Sequence, residues 1–294
     1  MTPLLGTGLT GLVASRFVEL FKDDFDFTNL DLTTGIDITN QAAVNPAITQ
    51  SSASVCVHSA AFTNVDAAFA QTGDKSGPCY QINVTGTQNI AAACAQAGKH
   101  LIHISTDFVF DGTKTEGLYT EADPPHPIEW YGLTKLWAEQ EVEKSGASYT
   151  IARLTYPFRA YYPQRLDLVR SLIEKLTTNT LTTMFTDHIL TPTFVDDIAK
   201  ALKVMIDKKP KGIFHVVGST PVSDYDLAVK VAQTFALDPS TVKRGSLTEF
   251  LKTTNRPYQK RLADSNAKLK TELGVSMRTL DEALLEMNRQ LKTT

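Results

Sequence analysis

The sequence predicts an α/β protein with a doubly wound parallel sheet of the Rossmann type, followed by a smaller, mixed C-terminal lobe. Short apolar β-type runs alternate with helical patterns through the first half of the chain, which is typical of βαβ units. A glycine-rich turn joins the first apolar run to the first helical pattern. After Leu154 the alternation is replaced by an aromatic and proline-rich passage at 156–163, which predicts that the chain leaves the sheet there.

The elements of the first half follow from the period of the apolar residues. Runs rich in β-branched and apolar residues predict strands, whereas apolar spacings of three and four residues predict helices. The predicted strands are 4–6, 25–30, 54–58, 100–105 and 149–154. The predicted helices begin at Gly11 and Ala42 and span 78–97 and 129–144.

The second half predicts a return to the sheet and then a separate lobe. A helix near 196–207 and an apolar strand at 213–217 would rejoin the sheet, and helices near 224–236, 266–273 and 280–291 would form the lobe. The predicted domains are therefore 1–155 plus about 190–218 for the sheet, and about 156–189 plus 219–294 for the lobe.

Composition excludes several classes of function. The formal net charge is −3 and the basic residues are scattered, so nucleic acid is not expected as a partner. No apolar run reaches the ~18 residues of a membrane span, and the N-terminal segment lacks the charged region of a signal peptide. Cys56, Cys79 and Cys94 are odd in number and have no CxxC spacing, which favours a reduced, cytoplasmic setting. The sequence predicts no metal site.

The glycine-rich turn predicts a dinucleotide site. Gly6, Gly8 and Gly11 satisfy GxGxxG, and Gly8, Gly11 and Ala14 satisfy GxxGxxA. Glycines let the backbone approach a pyrophosphate, whose charge is then stabilised by amides at a helix N-terminus. The expected cofactor-binding residues of this turn are Gly8, Leu9, Thr10, Gly11 and Leu12.

Three further segments follow predicted strands at the same edge of the sheet. Asp31 lies about 20 residues beyond the turn, where an acid meets the adenosine ribose hydroxyls, and no cation follows it directly, which favours NAD over NADP although Arg16 is a nearby candidate cation. An Asp after a strand is also a common turn residue. Asp37 and Ile38 are expected near adenine, with a helix cap as the alternative for Asp37. The small side chains Ser59, Ala60 and Ala61 would admit the nucleotide, although tight helix packing explains them equally well.

Tyr131 and Lys135 are spaced for proton transfer. They lie one helical turn apart on one face, and an ammonium there is expected to lower the phenol pKa from ~10 while also reaching the nicotinamide ribose. Thr106 or Ser105 would supply a hydroxyl from the end of the preceding strand, where open α/β sheets bind ligands. In the alternative interpretation, these hydroxyls only terminate a strand and Tyr131 only packs at a helix start.

Five stretches together resemble the extended short-chain dehydrogenase/reductases, and within them most closely the dTDP-4-dehydrorhamnose reductases. The stretches are GLTGLVA (8–14), HSAAFTNVD (58–66), INVTGTQN (82–89), HISTDFVFDG (103–112) and WYGLTK (130–135). Weaker likeness extends to 191–202 and 256–269, so the resemblance covers most of the chain.

The resemblance implies both a reaction and residue roles. Thr106, Tyr131 and Lys135 would form the catalytic triad, with Tyr131 as the proton donor. NAD(P)H would be the hydride source and a nucleotide-linked 4-keto sugar the substrate. Asn83 would support the floor of the site, and Arg256 would bind the sugar-nucleotide diphosphate.

The residues after the strand separate this reaction from its relatives. Sugar-nucleotide 4,6-dehydratases of the same superfamily read Thr-Asp-Glu, and Phe108 stands where their glutamate acts as the base, so dehydration is disfavoured. Simple 4-epimerases more often carry a small residue where Asp107 stands. The residues expected to face the sugar are Ser105, Asp107, Phe108 and Trp130. The passage 156–159 departs from the rhamnose enzymes, which leaves the sugar and the nucleotide open.

Two other functions remain open at this stage. One is 4-epimerisation of a nucleotide sugar. The other is a non-catalytic role, because the same motifs resemble the regulatory β subunit of methionine adenosyltransferase, which keeps the fold and binds a dinucleotide while serving a partner. A homodimer is compatible with the sequence but is not specified by it.

Overall fold

The computed structural model describes residues 1–293, which divide into two units. The first unit comprises Met1–Phe110, Pro124–Arg153 and Ala199–Phe214. The second unit comprises Asp111–Asp123, Leu154–Ile198 and the described chain from His215 onward.

These units differ from the predicted domains in four segments. Residues 111–123, 154–155, 190–198 and 215–218 belong to the second unit. The first of them is held there because Tyr119 exchanges backbone hydrogen bonds with the segment at Ala263 and Ser265. Such pairing of distant segments has no signal in local periodicity.

In the first unit the strands and helices alternate, as the sequence predicts. The strands are β1 (Thr2–Thr7), β2 (Phe25–Asn29), β3 (Val55–His58), β4 (His100–Thr106), β5 (Ser148–Leu154), β6 (Pro157–Phe158), β7 (Met184–Phe185), β8 (Ile189–Leu190), β9 (Thr193–Phe194), β10 (Gly212–His215), β11 (Val222–Ser223) and β12 (Arg244–Gly245). The helices are α1 (Ala14–Phe21), α2 (Gln41–Thr49), α3 (Val65–Phe69), α4 (Pro78–Tyr80), α5 (Thr87–Gln96), α6 (Trp130–Lys144), α7 (Leu168–Thr177), α8 (Val195–Lys208), α9 (Asp224–Thr234), α10 (Leu247–Phe250), α11 (Ala267–Leu273) and α12 (Leu280–Thr293).

A six-stranded sheet forms the centre of the first unit, in the order β10-β5-β4-β3-β1-β2. The pairs β1/β2, β1/β3 and β3/β4 are parallel. Thr7 pairs with His58, and His58 pairs with His103, so these three residues lie side by side near the carboxyl ends of the three central strands. The chain places β2 on one side of β1 and β3 on the other side. This change of side is the topological switch point, where such sheets bind ligands. The predicted fold class is confirmed.

Burial explains why the central strands were predictable. The residues of β3 are all buried and those of β4 nearly so, because helices cover both faces of a parallel sheet. One layer of the core joins Leu5 and Cys56 of the sheet to Val44 of α2 and Ile90 of α5. The continuous apolar runs of these strands are thus a direct consequence of burial on both faces.

The helix that precedes β4 contains an irregular segment. Helices α4 and α5 are joined without a break by a π-helical stretch, Gln81–Gly86. Such stretches are frequent at functional sites because they change the direction of side chains within a helix. The sequence predicts this helix at 78–97 but has no signal for the change in its winding.

The second unit is a smaller α/β assembly with short paired strands. Its pairs are β6/β9, β8/β11 and β7/β12. Its apolar core includes Phe158, Phe194, Leu227, Val231 and Leu284. Helix α7 is absent from the sequence prediction; it begins after Asp167, whose side chain accepts a hydrogen bond from the Arg170 amide.

The remaining differences are small. The helix predicted from Gly11 begins at Ala14, α3 was not predicted, and the strand predicted at 213–217 ends at His215. Among residues 1–293, every helix is too short or too polar to cross a bilayer.

Candidate active site

The glycine-rich turn follows β1 directly and requires glycine at its first position. Gly8 has φ +63°, and a Cβ there would lie 2.8 Å from both the amide nitrogen and the Cα of Ala60. A left-handed backbone and a close approach to the chain after β3 therefore both exclude a side chain. Gly6 lies inside β1 beneath the Leu9 side chain, so Gly8 and Gly11 are the glycines of the turn itself.

The turn is held by hydrogen bonds that the sequence did not indicate. The Leu9 amide donates to Oδ1 of Asn29 at 3.2 Å, and the Gly11 amide donates to the Gly8 carbonyl at 3.0 Å. Thr10 is exposed and Leu12 is buried. Val13, at the N-cap of α1, has no side-chain acceptor. A closely approaching backbone and a helix start without its own cap fit the pyrophosphate of a dinucleotide.

Asp31 lies at the end of β2 and is already engaged by its own neighbours. Its carboxylate accepts hydrogen bonds from the Thr33 amide at 2.8 Å, from the Thr33 hydroxyl at 2.5 Å and from the Asn29 amide group at 2.5 Å. Burial opposes ionisation, but these hydrogen bonds prevail and lower the pKa of Asp31. A fixed negative charge therefore stands at the end of β2.

Asp37 and Ile38 have different environments. Asp37 is exposed, and its carboxylate caps a turn by accepting from the Thr39 amide at 2.9 Å and hydroxyl at 2.8 Å. Ile38 is buried against Gly86 of the π-helical stretch, where any Cβ would collide with its side chain. The helix cap of α2 is Asn40, so Asp37 holds the turn before the helix and does not cap the helix itself.

The small residues after β3 are positioned by Thr7. The Ser59 amide donates to the Thr7 carbonyl at 3.2 Å, and the Ala60 amide donates to the Thr7 hydroxyl at 3.1 Å. Ser59, Ala60 and Ala61 remain partly exposed. The turn after β1 and the segment after β3 are thereby held beside each other.

A buried histidine connects Thr7 to the helix behind the sheet. The Thr87 hydroxyl donates its proton to the Asn83 carbonyl at 2.6 Å, so it accepts from Nε2 of His58 at 2.9 Å. Nδ1 of His58 then accepts from the Thr7 hydroxyl at 2.6 Å. Burial, reinforced by the nearby Lys135 charge, lowers the pKa of His58 to about 3, so the ring is neutral. No motif in the sequence indicates this role of His58.

The structure brings Thr106, Tyr131 and Lys135 together. Thr106 ends β4, while Tyr131 and Lys135 lie one turn apart on α6, and all three are buried. The Thr106 hydroxyl lies close enough to the Tyr131 phenol to influence the pKa of the phenol. It also donates to Oδ1 of Asp107 at 3.0 Å and accepts from the Phe108 amide at 3.3 Å.

The expected lowering of the phenol pKa is wrong. Burial raises the pKa of Tyr131, and the Thr106 hydroxyl opposes that shift while the charges of Glu129 and Asp107 add to it. Lys135 has no comparable effect because its ammonium is directed towards β4. Tyr131 is therefore firmly protonated at neutral pH.

The Lys135 ammonium is held by β4. Nζ donates to the Ile104 carbonyl at 2.7 Å and lies 3.4 Å from Nε2 of His103. Burial lowers the pKa of Lys135 to about 8, although Glu139 and Cys79 oppose the shift. At neutral pH the group is still predominantly charged.

Helix α6 starts against the loop that follows β4. Glu129 caps it by accepting from the Tyr131 amide at 2.9 Å and the Gly132 amide at 2.5 Å. A Cβ on Gly132 would collide with the Phe108 carbonyl. The absence of a side chain at this position therefore determines how closely Tyr131 approaches the end of β4.

Asn83 joins α6 to the π-helical stretch. Its side chain accepts from the Phe62 amide at 2.8 Å and donates to the Thr134 hydroxyl at 3.0 Å. The Thr134 hydroxyl in turn donates to the Tyr131 carbonyl at 2.8 Å. Asn83 thus supports the turn of α6 that carries Tyr131.

Ser105 does not belong to the group of Thr106, Tyr131 and Lys135 that is predicted to transfer a proton (the proton-transfer group). Its hydroxyl donates to Oε1 of Glu139 at 2.5 Å, and Glu139 is paired with Arg153. The alternative in which Ser105 supplies the catalytic hydroxyl, and its expected contact with the sugar, are therefore corrected. Thr106, the next residue, is the one whose hydroxyl influences the pKa of the Tyr131 phenol.

The other expected substrate residues lie in different surroundings. Phe108 packs edge-on against Tyr131, with ring centroids 5.7 Å apart. Asp107 is 1% exposed, and Trp130, 5% exposed, packs against Trp137. Arg256 belongs to the second unit, where its guanidinium donates to the Tyr258 hydroxyl at 2.7 Å. Its contact with a diphosphate stays a prediction.

Comparisons with known proteins place the chain among reductases. A family model described as the RmlD substrate binding domain matches residues 1–293. The dTDP-4-dehydrorhamnose reductase of Aggregatibacter actinomycetemcomitans is 30% identical over 239 residues, covering 79% of this chain and 78% of that protein. The methionine adenosyltransferase 2 subunit beta of Rattus norvegicus is 32% identical over 262 residues, covering 83% and 72%.

A solved structure shows the same fold over nearly the whole chain. The dTDP-4-dehydrorhamnose reductase of Bacillus anthracis, in complex with NADP, superposes with a TM-score of 0.87. It is 27% identical, and the alignment covers 99% of this chain and all of that one.

Substituting Gly132 tests the contact between α6 and the β4 loop. We expect Gly132→Ala to lower the free energy of unfolding by about 1–3 kcal/mol, because the Phe108 carbonyl is backbone and must move to admit a methyl group. Urea denaturation measures this loss. Lys144→Ala, at an exposed position near the end of the same helix, is the control and should change it by less than about 0.5 kcal/mol. Equal stability of the two variants would contradict the close contact.

Proposed function

The chain belongs to the RmlD substrate binding domain family, and on that premise we propose that it reduces the 4-keto group of a nucleotide-linked deoxysugar. Its family and relatives make it an NAD(P)-dependent oxidoreductase of the extended short-chain dehydrogenase/reductase type. The observation that carries the proposed reaction is the Thr106 hydroxyl within reach of the protonated, buried Tyr131 phenol, with Lys135 one turn further along α6.

The three side chains divide the work of carbonyl reduction. Bound NAD(P)H supplies the hydride that adds to C4. Tyr131 donates its proton to the oxygen at C4, which becomes the hydroxyl of the product. Thr106 orients that oxygen by turning its hydroxyl proton from Asp107 towards it, while the Phe108 amide holds the hydroxyl oxygen in place.

Lys135 makes the proton transfer feasible from a buried phenol. Loss of the proton leaves a tyrosinate in a site where burial disfavours negative charge. We propose that the Lys135 ammonium stabilises that charge once the ribose hydroxyls of the bound cofactor replace the Ile104 carbonyl as its partners. The role requires Lys135 to be protonated, as it is below its pKa of about 8.

Reduction is favoured over dehydration and epimerisation by the residues after Thr106. Phe108 places an apolar ring against Tyr131, where a dehydratase of the superfamily would need a base. Asp107, a larger residue with a carboxyl group, stands where epimerases more often have a small residue. It accepts a hydrogen bond from the Thr106 hydroxyl at 3.0 Å. Sugar and nucleotide identity follow from the relatives' names and are proposed as dTDP-linked.

Asp31 supports a preference for NADH. Its carboxylate is ionised and fixed at the end of β2, where the adenosine ribose is expected, so a 2′-phosphate would meet a negative charge. Arg16, the nearby candidate cation, is paired with Glu19 at 3.0 Å.

A non-catalytic role is the rival proposal. It is motivated by the likeness to the methionine adenosyltransferase subunit. The presence of Thr106, Tyr131 and Lys135 in one buried group supports catalysis, since binding a dinucleotide alone requires no proton donor.

Replacing the phenol separates the two proposals. We expect Tyr131→Phe to lower kcat by about 10²–10⁴-fold, since general acid catalysis is lost while the ring and its packing remain. The measurement is NADH oxidation with 4-keto sugars linked to dTDP, UDP and GDP. If the wild type and Tyr131→Phe were equally inactive, and a co-purifying enzyme changed its kinetics in their presence, the reductase proposal would be abandoned.

The Lys135 ammonium predicts a pH dependence. Because its pKa is about 8, the rate should fall as pH rises through that value and the positive charge is lost. Arginine stays protonated in this range, so Lys135→Arg should retain some activity and lose the alkaline decline. The profile of kcat between about pH 6 and about pH 10 measures this. Lys144→Arg, an exposed lysine of the same helix, should leave the decline in place. An unchanged decline in Lys135→Arg would contradict the assignment.

Cofactor preference depends on Asp31. Asp31→Ser keeps a capping oxygen for the turn but removes the charge, so we expect the ratio of kcat/KM for NADPH to that for NADH to rise about tenfold, or ~1.4 kcal/mol. Asp26→Ser, at an exposed position on the same strand, is the matched control. Equal ratios in the two variants would remove Asp31 from cofactor selection.

A further inference from the structure

A buried ion pair lies beside the proton-transfer group without taking part in it. Arg153 of β5 donates to both carboxylate oxygens of Glu139, with Nε at 2.9 Å and Nη2 at 2.7 Å. Both side chains are almost completely buried, at 2% and 3% exposure. Removing two charges from water costs several kcal/mol per ion, and the mutual attraction often does no more than offset it. The stability of the fold therefore does not by itself explain an ion pair in this place.

The pair connects the elements that carry the catalytic side chains. Glu139 lies on the same face of α6 as Tyr131 and Lys135, at successive spacings of four residues. Its Oε1 also accepts the Ser105 hydroxyl at 2.5 Å, and Ser105 is the residue immediately before Thr106. Arg153 lies over the ring of Phe110, 5.1 Å from its centre, in the loop after β4.

Helix α6 is thus attached to the end of β4 at three successive turns. Tyr131 approaches the Thr106 hydroxyl, Lys135 donates to the Ile104 carbonyl, and Glu139 accepts from Ser105. The first two attachments involve groups that take part in chemistry and exchange partners during it. The third involves only groups that chemistry leaves in place.

We propose that Ser105, Glu139 and Arg153 form a positioning clamp that sets the distance between the Thr106 hydroxyl and the Tyr131 phenol. The effect of the clamp on the reaction rate rests on the proposed reductase function. Its effect on the structure does not. Ser105 and Thr106 are adjacent, so a shift of the strand end relative to α6 displaces Thr106 by a similar amount. Proton transfer is sensitive to such shifts, since a misplacement of ~1 Å can cost about a hundredfold in rate.

The first test removes the hydroxyl from the strand. Ser105→Ala leaves the ion pair intact, and we expect kcat to fall at least tenfold while KM for NADH and the Tm stay close to wild type. Ser105→Thr keeps a hydroxyl and should restore most of the rate. A wild-type kcat for Ser105→Ala, or failure of Ser105→Thr to exceed it, would overturn the clamp.

The second test removes the charges without leaving one unpaired. The double variant Glu139→Met with Arg153→Met replaces the pair with apolar side chains of similar length, which buried ion pairs often tolerate without loss of stability. We expect it to remain folded and to lose kcat to the same extent as Ser105→Ala. A folded double variant with wild-type kcat would show that the pair is only structural.

Hydrogen exchange tests the clamp independently of the reaction. In Ser105→Ala, peptides covering 104–108 and 129–135 should exchange backbone amides faster than in the wild type, with no change in the rest of the first unit. If the wild type reduces no 4-keto sugar but exchange changes in this way, the proposed function fails and the clamp stands. If the wild type is active and exchange is unchanged, or is raised throughout the unit, the clamp fails and the function stands.

Discussion

The candidate active site depends on how helix α6 packs against the end of strand β4. Gly132 lets the helix start directly beside the Phe108 carbonyl, and Glu129 satisfies the first amides of the helix there. This packing buries Tyr131 and brings it to Thr106. Residues on three turns of α6 then contact three consecutive residues of the strand, so the relative position of helix and strand is specified more than once.

Burial affects the two titrating groups of α6 in opposite directions. It raises the pKa of the Tyr131 phenol and lowers that of the Lys135 ammonium, because in each case the charged form is disfavoured. The phenol therefore enters the reaction with its proton in place. The ammonium remains charged at neutral pH, but its lowered pKa means that it loses its proton under mildly alkaline conditions. Its positive charge is the one that would stabilise a newly formed tyrosinate.

The central strands contribute neutral rather than charged groups to this site. His58 and His103 lie next to each other on β3 and β4, with ring centroids 5.2 Å apart, and burial lowers the pKa of both. As neutral rings they can accept hydrogen bonds: His58 accepts from Thr7, and His103 faces the Lys135 ammonium. The glycine-rich turn and helix α6 are thus connected through the centre of the sheet, and neither histidine adds a positive charge beside Lys135.

Local patterns in the sequence determined the order of the strands of the central sheet and of most helices between them, the glycine turn and the spacing of Tyr131 and Lys135, because each depends on residues close together in the chain. The tertiary structure alone decided which hydroxyl faces Tyr131, since Ser105 and Thr106 are equivalent until Glu139 and Arg153 engage one of them. It also decided the direction of the Tyr131 pKa shift, which follows from burial and not from the distance to Lys135 along the helix. The tertiary structure also decided the support of the glycine turn by Asn29 and the pairing of Tyr119 with Ala263 and Ser265 within the second unit. Both join residues far apart in sequence, so no local period or motif encodes them.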